Sequence, residues 1–308
     1  MNQVFKYLSY SKQAFHQKMD RILQQRELEA LLLPIIKELR QEHPHVAARQ
    51  LYQILKPDNI GRDKFEQLCF MHGLKLPRLK SYRRTTDSSG VIRFPNLTEG
   101  REFTDINQAW GSDITYYQIG NRFYYLTFII DLYSRVIVGY SVSRKLLTEQ
   151  TTIPALQMAI ENRQPQPGLI FHSDGGGQYY CKAFLNLTRE NKMKNSMCDA
   201  AYENPYAERI NGTIKNQYLK GYNPRSYEGL IQSTKRAVKN YNCIRPHSSL
   251  EKMPPVVFEK QLPAGGSSSE HDNFCNFGST IEPHQKNHHI QMTNKTRLKS
   301  VKKKVNVF

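Results

Sequence analysis

The hydrophobic pattern of the first part of the chain is typical of helices. Between residues 20 and 42 apolar positions recur every three to four residues, which predicts an amphipathic helix that Pro34 could kink. Further helices are predicted over 45–55 and 63–71, with a turn at 57–61 between them. Short helices around a tight turn resemble a helix-turn-helix, although a plain helical bundle has the same pattern.

The pattern changes to strands near residue 109. Segments 110–116, 122–131 and 135–143 are rich in Tyr, Phe, Ile, Val and Thr, which predicts three strands in an antiparallel meander. Further along the chain we predict strands over 169–172 and near 196–198, and helices over 148–162, 182–191, 205–220 and 227–241. The order β-β-β-α-β-α-β-α predicts an α/β fold (α+β mixed sheet) flanked by helices.

Changes in composition predict the domain boundaries. Residues 85–104 begin with a polar stretch rich in Ser, Thr, Gly and Pro. They are predicted to link a helical region (1–84) to a larger domain (105–262). Residues 263–308 are polar and basic without periodicity, so we expect a disordered basic tail.

Composition narrows the class of protein. Lys and Arg number 44 against 27 Asp and Glu, a net charge of +17, which favours a polyanionic partner such as DNA but would also suit a ribosomal or membrane-surface protein. Without a long apolar run or a signal peptide, we expect a cytoplasmic, nucleoid-associated protein. The five cysteines contain no Cys-x-x-Cys pair, which argues against structural zinc and a disulfide framework and predicts reduced thiols.

A basic cluster after the third predicted helix favours DNA binding. Five basic side chains and no acidic one fall between residues 75 and 84, namely Lys75, Arg78, Lys80, Arg83 and Arg84. Such a cluster supplies phosphate affinity without reading sequence.

Three carboxylates occur where surface acids are unusual. Asp113 lies within the first predicted strand, Asp174 ends an apolar strand before three glycines, and Glu208 lies one turn into a helix. Each alone could be a surface or capping residue. Together they form an oxygen-ligand set suited to two Mg²⁺ ions and in-line displacement at phosphorus.

Neighbouring residues extend this candidate site. Lys215 follows Glu208 by two helical turns, on the same face, and is either a phosphate-binding or a solvated lysine. His172 shares a strand face with Asp174 and is predicted to orient the acid, to contact DNA or simply to be packed. Glycines 175–177 allow close approach by phosphate or metal, or form a turn. Asn204 is predicted to cap the helix that carries Glu208.

These residues stand in a recognisable context that spans roughly residues 105–260. Four sequence motifs make up this context: Trp110-x-x-Asp113-Ile-Thr, His172-Ser-Asp174-x-Gly176-x-Gln178-Tyr179, Tyr202-Glu-Asn204-x-x-Ala207-Glu208-Arg209-x-Asn211-Gly212-x-x-Lys215 and Tyr241-Asn-x-x-Arg245-Pro246-His247-Ser-Ser-Leu250. It closely resembles the OrfB-type transposases of the IS3 family, whose core is shared with retroviral integrases and carries a D-D-E triad.

The resemblance implies a ribonuclease-H-like integrase catalytic core that cleaves insertion-sequence ends and transfers strands in DNA transposition. It implies that Asp113, Asp174 and Glu208 are catalytic and bind two Mg²⁺ ions, for which Mn²⁺ can substitute. Lys215, His172 and Arg209 would contact DNA. The partners implied are element-end and target DNA, further copies of the chain, and an upstream OrfA-type protein.

Spacing agrees with the family in one interval and departs from it in the other. Sixty residues separate Asp113 from Asp174, as is common in the family, whereas 33 separate Asp174 from Glu208, two fewer than usual. The shortening falls between Met197 and Tyr202. Two other hypotheses stay open: a decayed or domesticated transposase that only binds DNA, and a ribonuclease-H-like nuclease.

Overall fold

The computed structural model describes residues 11–74, 76, 94–198 and 204–262, and begins with the three predicted helices. They are α1 (Lys12–Glu42), α2 (Ala48–Leu55) and α3 (Arg62–Met71). Helix α1 starts earlier than its apolar pattern because the Ser11 hydroxyl caps it, accepting a hydrogen bond from the Ala14 backbone at 3.0 Å. Pro34 lies inside α1, and the helix continues past it.

A five-stranded mixed sheet confirms the predicted fold class. Its strands are β1 (Ala109–Ile119), β2 (Arg122–Asp131), β3 (Ile137–Ser143), β4 (Ile170–Ser173) and β5 (Lys194–Met197), in the order β3-β2-β1-β4-β5. The first three strands form the predicted antiparallel meander, while β4 runs parallel to β1 and β5 parallel to β4. This arrangement places the C-terminal end of β4 beside the middle of β1.

Helices of the second half pack on this sheet. They are α4 (Thr152–Arg163), α5 (Lys182–Glu190), α6 (Pro205–Thr213), α7 (Lys220–Tyr222), α8 (Tyr227–Cys243) and α9 (Pro255–Glu259). Between α6 and α7 the chain passes through a π-helical segment, Ile214–Leu219, where a regular helix was predicted. We call α6, the π segment and α7 together the Glu208 helix. A π segment adds about one residue to a turn, which a hydrophobic period does not reveal.

The end of α1 contacts the Glu208 helix directly. The Tyr222 hydroxyl donates to the carbonyl of Glu42 at 2.6 Å, and the carboxylate of Glu42 pairs with Arg236 of α8 at 2.7 Å. The backbone N–H of His45 donates to the carbonyl of Gln217, within the π segment, at 3.0 Å. The N-terminal helices therefore share packing and hydrogen bonds with the domain that carries the predicted acids.

Several predictions fall wholly or partly on residues outside the described ranges. They concern Lys75, Arg78, Lys80, Arg83 and Arg84, the first part of the linker (85–93), the shortened loop within 199–203, and the tail at 263–308. The described part of the linker is irregular, and Leu97 donates its backbone N–H to Ser196 of β5 at 2.8 Å. None of the described helices has the length and apolar character to cross a membrane.

The described cysteines follow the expectation of reduced thiols except at one position. Cys69, Cys181 and Cys198 are free thiols. Cys243, the last residue of α8, is disulfide-bonded, so the expectation is wrong there. The spacing rule looks for cysteines close in sequence, whereas a fold can bring distant ones together.

Candidate active site

Asp113 occupies the middle of the sheet. It lies on β1, opposite Phe128 of β2, and its side chain is only 4% exposed. An ionised carboxylate at such a position needs hydrogen bonds or a cation to offset desolvation. One bond comes from the side-chain amide of Asn211 on α6, whose Nδ2 donates to Oδ2 of Asp113 at 2.7 Å.

Asp174 follows β4 directly and stands next to Asp113 in the sheet. The parallel register pairs Ser112 of β1 with Ser173 of β4. Asp113 follows Ser112 and Asp174 follows Ser173, so the two acids occupy neighbouring positions. Oδ1 of Asp174 accepts the backbone N–H of Gly176 at 3.1 Å. The structure thus brings two predicted acids together at the C-terminal end of β4.

A buried tyrosine, Tyr179, lies within electrostatic reach of both acids. The hydroxyl of Tyr179 lies 2.9 Å from the hydroxyl of Ser112. Burial raises the pKa of Tyr179 well above its ordinary value, and the negative charges of Asp174 and Asp113 raise this pKa further. Tyr179 therefore stays protonated, and its hydroxyl lies within electrostatic reach of both carboxylates.

Glu208 lies on a helix that runs along β1. Asn204, at the N-cap of the Glu208 helix, and Asn211 and Lys215 within this helix bond in order to Ser112, Asp113 and Thr115 of β1. These contacts advance along both elements together, so helix and strand lie side by side in the same direction. Glu208 is half-buried and lies one turn before Asn211, so helical spacing puts it on the same face as the residue that contacts Asp113.

Lys215 contacts the same strand. Its Nζ donates to Oγ1 of Thr115 at 3.0 Å and lies 4.6 Å from the ring centre of Tyr116. Lys220, five residues later, is exposed. The helix thus directs Lys215 to the strand that carries Asp113.

The three carboxylates do not form a closed metal site. In the described part of the chain, no group of three His, Cys, Asp or Glu side chains is placed to hold a metal ion. The donor chemistry nevertheless suits Mg²⁺ or Mn²⁺, because the carboxylates are accompanied by the amide oxygen of Asn211, which is buried and accepts no hydrogen bond from the described residues. The residues therefore fit a hard divalent cation in the kind of donor atoms that they offer.

His172 does not reach a surface. It is 1% exposed, and its Nδ1 lies 3.0 Å from the hydroxyl of Ser196 and 3.4 Å from that of Thr98. Of the three alternatives for this residue, these contacts favour the packed histidine, while contact of His172 with DNA stays a prediction. The alternation of strand β4 correctly relates His172 to Asp174, but the linker and β5 cover this position.

Two other local predictions are revised. Asn204 stands at the N-cap position before Pro205, yet its side chain makes no capping bond and instead donates to the carbonyl of Ser112 at 2.9 Å. Gly175 forms a turn with φ +77°, and a Cβ there would lie 2.5 Å from the Tyr180 hydroxyl. Packing and backbone conformation therefore explain Gly175 without a bound phosphate.

Arg209 lies on another side of α6, within a basic cluster. Burial is the main cause that lowers the pKa of His247 to about 4, and the positive charges of Arg245, Arg135 and Arg209 contribute to the same shift, so these three guanidinium groups lie within electrostatic reach of the ring. The guanidinium of Arg135 also stacks over Tyr206 at 3.7 Å. The sequence alone does not single out Arg135, because no spacing rule connects it with the other basic residues.

Asn211 stands in one of the four sequence motifs, but the sequence alone assigns it no role. It follows Glu208 by three residues, which places both on one helical face. This spacing could have indicated a role beside the acids. The partner, Asp113, was not predictable from local sequence because the two residues are distant in the chain.

Comparisons with known proteins identify the family. Two family models, both described as "Integrase core domain", match residues 104–202 and 191–255. The 31 kDa uncharacterized protein of insertion element IS600 from Shigella sonnei is 31% identical over 208 residues, covering 66% of this chain and 76% of that protein. The candidate transposase of insertion sequence element IS986/IS6110 from Mycobacterium tuberculosis is 30% identical over 237 residues, covering 71% and 85%.

Two further similarities are more limited. Transposase InsF for insertion sequence IS3fB from Escherichia coli is 32% identical over 158 residues, which is 50% of this chain and 54% of that protein. The HTLV-2 integrase catalytic core domain, solved in complex with magnesium, superposes with a TM-score of 0.41 at 20% identity over 50% of this chain and 96% of that one.

The predicted family and catalytic core are thereby confirmed. The relatives match most of the chain, and the matched models span the sheet and the Glu208 helix. The chain belongs to the IS3-type transposases, DDE polynucleotidyl transferases built on an integrase core.

Proposed function

We propose that Asp113, Asp174 and Glu208 are the catalytic triad with which this transposase cleaves insertion-sequence ends and joins them to target DNA. The observation that carries the proposal is the contact between Asn211 and Asp113, at 2.7 Å, because it fixes the Glu208 helix against the strand of the first acid. The register of β1 with β4 supplies the second acid at the same place.

The carboxylates would act by holding divalent cations. Asp113 and Asp174 would hold the two ions, with Glu208 a further ligand of the second, all as oxygen donors. Bound Mg²⁺, or Mn²⁺ in its place, would lower the pKa of the attacking group and neutralise charge that develops at phosphorus. Lys215 would bind a phosphate of the DNA end beside the triad, where its charge supplies affinity.

The reaction would proceed in two displacements at phosphorus. Water attacks a phosphodiester at the element end, the bond from phosphorus to the 3′ oxygen breaks, and a 3′-hydroxyl remains. This hydroxyl then attacks a phosphodiester of target DNA, where a new bond to phosphorus forms and the target's own 3′ oxygen leaves. Neither step requires a covalent bond between DNA and protein.

DNA recognition would be divided between two regions. The helices of residues 1–84, with Lys75, Arg78, Lys80, Arg83 and Arg84, are proposed to bind element ends, and Arg209 to contact backbone phosphates near the active site. The contact between the end of α1 and the Glu208 helix supports a shared DNA path, because it places the two regions side by side. Family membership supports a homo-oligomer on DNA and an OrfA-type partner.

Cleavage of a labelled element-end duplex in Mg²⁺ tests the proposal. Asp113→Asn, Asp174→Asn and Glu208→Gln should each abolish cleavage while DNA affinity stays within a few-fold of wild type. Chelation should abolish wild-type cleavage, and Mn²⁺ should restore it. Wild-type activity in any one variant would remove that residue from the triad, and binding without cleavage by the wild-type protein would favour a DNA-binding role alone.

A further inference from the structure

The side chain of Asn211 is committed to the first acid. Its Nδ2 lies 2.7 Å from Oδ2 of Asp113, and the two side chains are buried, with 6% and 4% of each residue exposed. A hydrogen bond to an ionised carboxylate is roughly twice as strong as one between neutral groups. The bond therefore both stabilises the charge of Asp113 and restricts the rotation of its carboxylate.

The other end of the same amide has no partner. Oδ1 of Asn211 is buried and accepts no hydrogen bond among the described residues. A buried acceptor left without a donor costs about 1–3 kcal/mol. The amide cannot relieve this cost by flipping, because a carboxylate is only an acceptor and Oδ1 would then face Oδ2 of Asp113. The geometry thus keeps one bond to Asp113 and leaves one oxygen open to a donor.

Asn204 offers an internal comparison. It lies seven residues earlier, at the N-cap of the Glu208 helix, is 3% exposed, and also donates its Nδ2 to β1. Its acceptor is the backbone carbonyl of Ser112 at 2.9 Å, which binds no metal in the proposed site. Both asparagines therefore attach the helix to the strand, but Asn211 alone of the two holds a proposed metal ligand.

We propose that Asn211 is a positioning residue, which holds the carboxylate of Asp113 in the orientation that binds the divalent cation and offers Oδ1 to water in the metal site. The inference rests on the proposed function. Partners that orient a ligand in this way typically change metal affinity 10–100-fold. Loss of Asn211 should therefore weaken metal binding even where the protein remains folded.

Titration of the full-length folded protein with Mn²⁺, followed by electron paramagnetic resonance of the unbound ion, tests this role. Asn211→Ala should weaken Mn²⁺ binding about 10–100-fold, whereas Asn204→Ala should leave it within about three-fold of wild type. The two variants should lower the urea midpoint by similar amounts, because each removes one buried hydrogen bond between helix and strand. Equal losses of Mn²⁺ affinity in both variants, or no loss in Asn211→Ala, would overturn the inference and leave only a role in seating the helix.

A second variant keeps the test decisive if Asn211→Ala fails to fold. Asn211→Leu preserves the shape of the side chain, removes the unpartnered oxygen and should fold, yet it should bind Mn²⁺ as weakly as expected for alanine; wild-type affinity would contradict the proposal. Asp113→Asn separates the two hypotheses. If Asp113→Asn abolishes Mn²⁺ binding while Asn211→Leu binds Mn²⁺ with wild-type affinity, only the role of Asn211 fails. If Asp113→Asn binds Mn²⁺ normally, the proposed triad fails as well.

Discussion

Replacing Gly221 with alanine tests whether the end of α1 is seated on the Glu208 helix. Gly221 lies in α7, and a Cβ at this position would lie 2.6 Å from Cγ of Pro44 and closer still to Cβ of that residue. Carbon atoms do not approach so closely, so either the turn that follows α1 or α7 itself must move.

Two opposing effects set the magnitude. Alanine improves helix propensity by at most about 1 kcal/mol, and less in a last turn. Overpacking costs about 1–3 kcal/mol, and displacement of the turn would also weaken the bonds that Glu42 accepts from Tyr222 and Asn240. We therefore expect the free energy of unfolding to fall by about 1–2 kcal/mol in Gly221→Ala.

Urea titration followed by circular dichroism measures this loss. Gly212→Ala is the matched control, because a Cβ there meets nothing nearer than Asn216 Nδ2 at 4.0 Å, and this variant should be at least as stable as wild type. Adding Pro44→Gly to Gly221→Ala should recover at least half of the loss. If Gly221→Ala is as stable as the control and shows no coupling to Pro44, the reasoning about this contact is refuted.

Three further changes probe other parts of the structure. Burial lowers the pKa of His43 from 6.5 to about 4, so this side chain binds a proton more readily in the unfolded chain than in the folded one. The free energy of unfolding should therefore fall as the pH drops from 6.5 to 4, by up to about 1.4 kcal/mol per pH unit. Urea titrations of His43→Gln should show a smaller dependence on pH, and an unchanged dependence would be the contrary result. Arg163 and Glu259 form a fully buried pair at 2.9 Å; Glu259→Gln should cost about 3–5 kcal/mol, and a loss below 1 kcal/mol would contradict the burial of an unpaired charge. Lys215→Ala should weaken element-end binding in a gel-shift assay more than Lys220→Ala, whereas equal losses would indicate diffuse electrostatic attraction.

Local patterns predicted the elements that depend on local forces. Strand β2 has the predicted bounds, Arg122–Asp131, because β-branched and aromatic residues fill it and turn residues flank it. Asp113 and Asp174 could be singled out because a carboxylate within or at the end of an apolar strand is costly without a partner. Helix α9 was missed, since five residues are too few to show a period.

Long-range contacts account for what the sequence did not reveal. Asn204 was expected to cap a helix and instead bonds to Ser112, because the sheet offers its amide an acceptor that local geometry cannot anticipate. The burial of His172 beside Thr98 and Ser196 likewise depends on residues distant in the chain, which the alternation of one strand does not reveal. The bond from Asn211 to Asp113 joins residues far apart in the chain and follows only from the packing of α6 on β1.

Strand transfer tests the central claim most directly. A duplex that ends in the element's terminal sequence, labelled on the strand to be transferred, is incubated with a supercoiled plasmid, Mg²⁺ and either wild-type protein or Asp174→Asn. The account predicts a product in which the labelled 3′ end is covalently joined to the plasmid with wild type, and no such product with Asp174→Asn at equal DNA occupancy. Joined product formed by Asp174→Asn, or none formed by wild type in either Mg²⁺ or Mn²⁺, would contradict it.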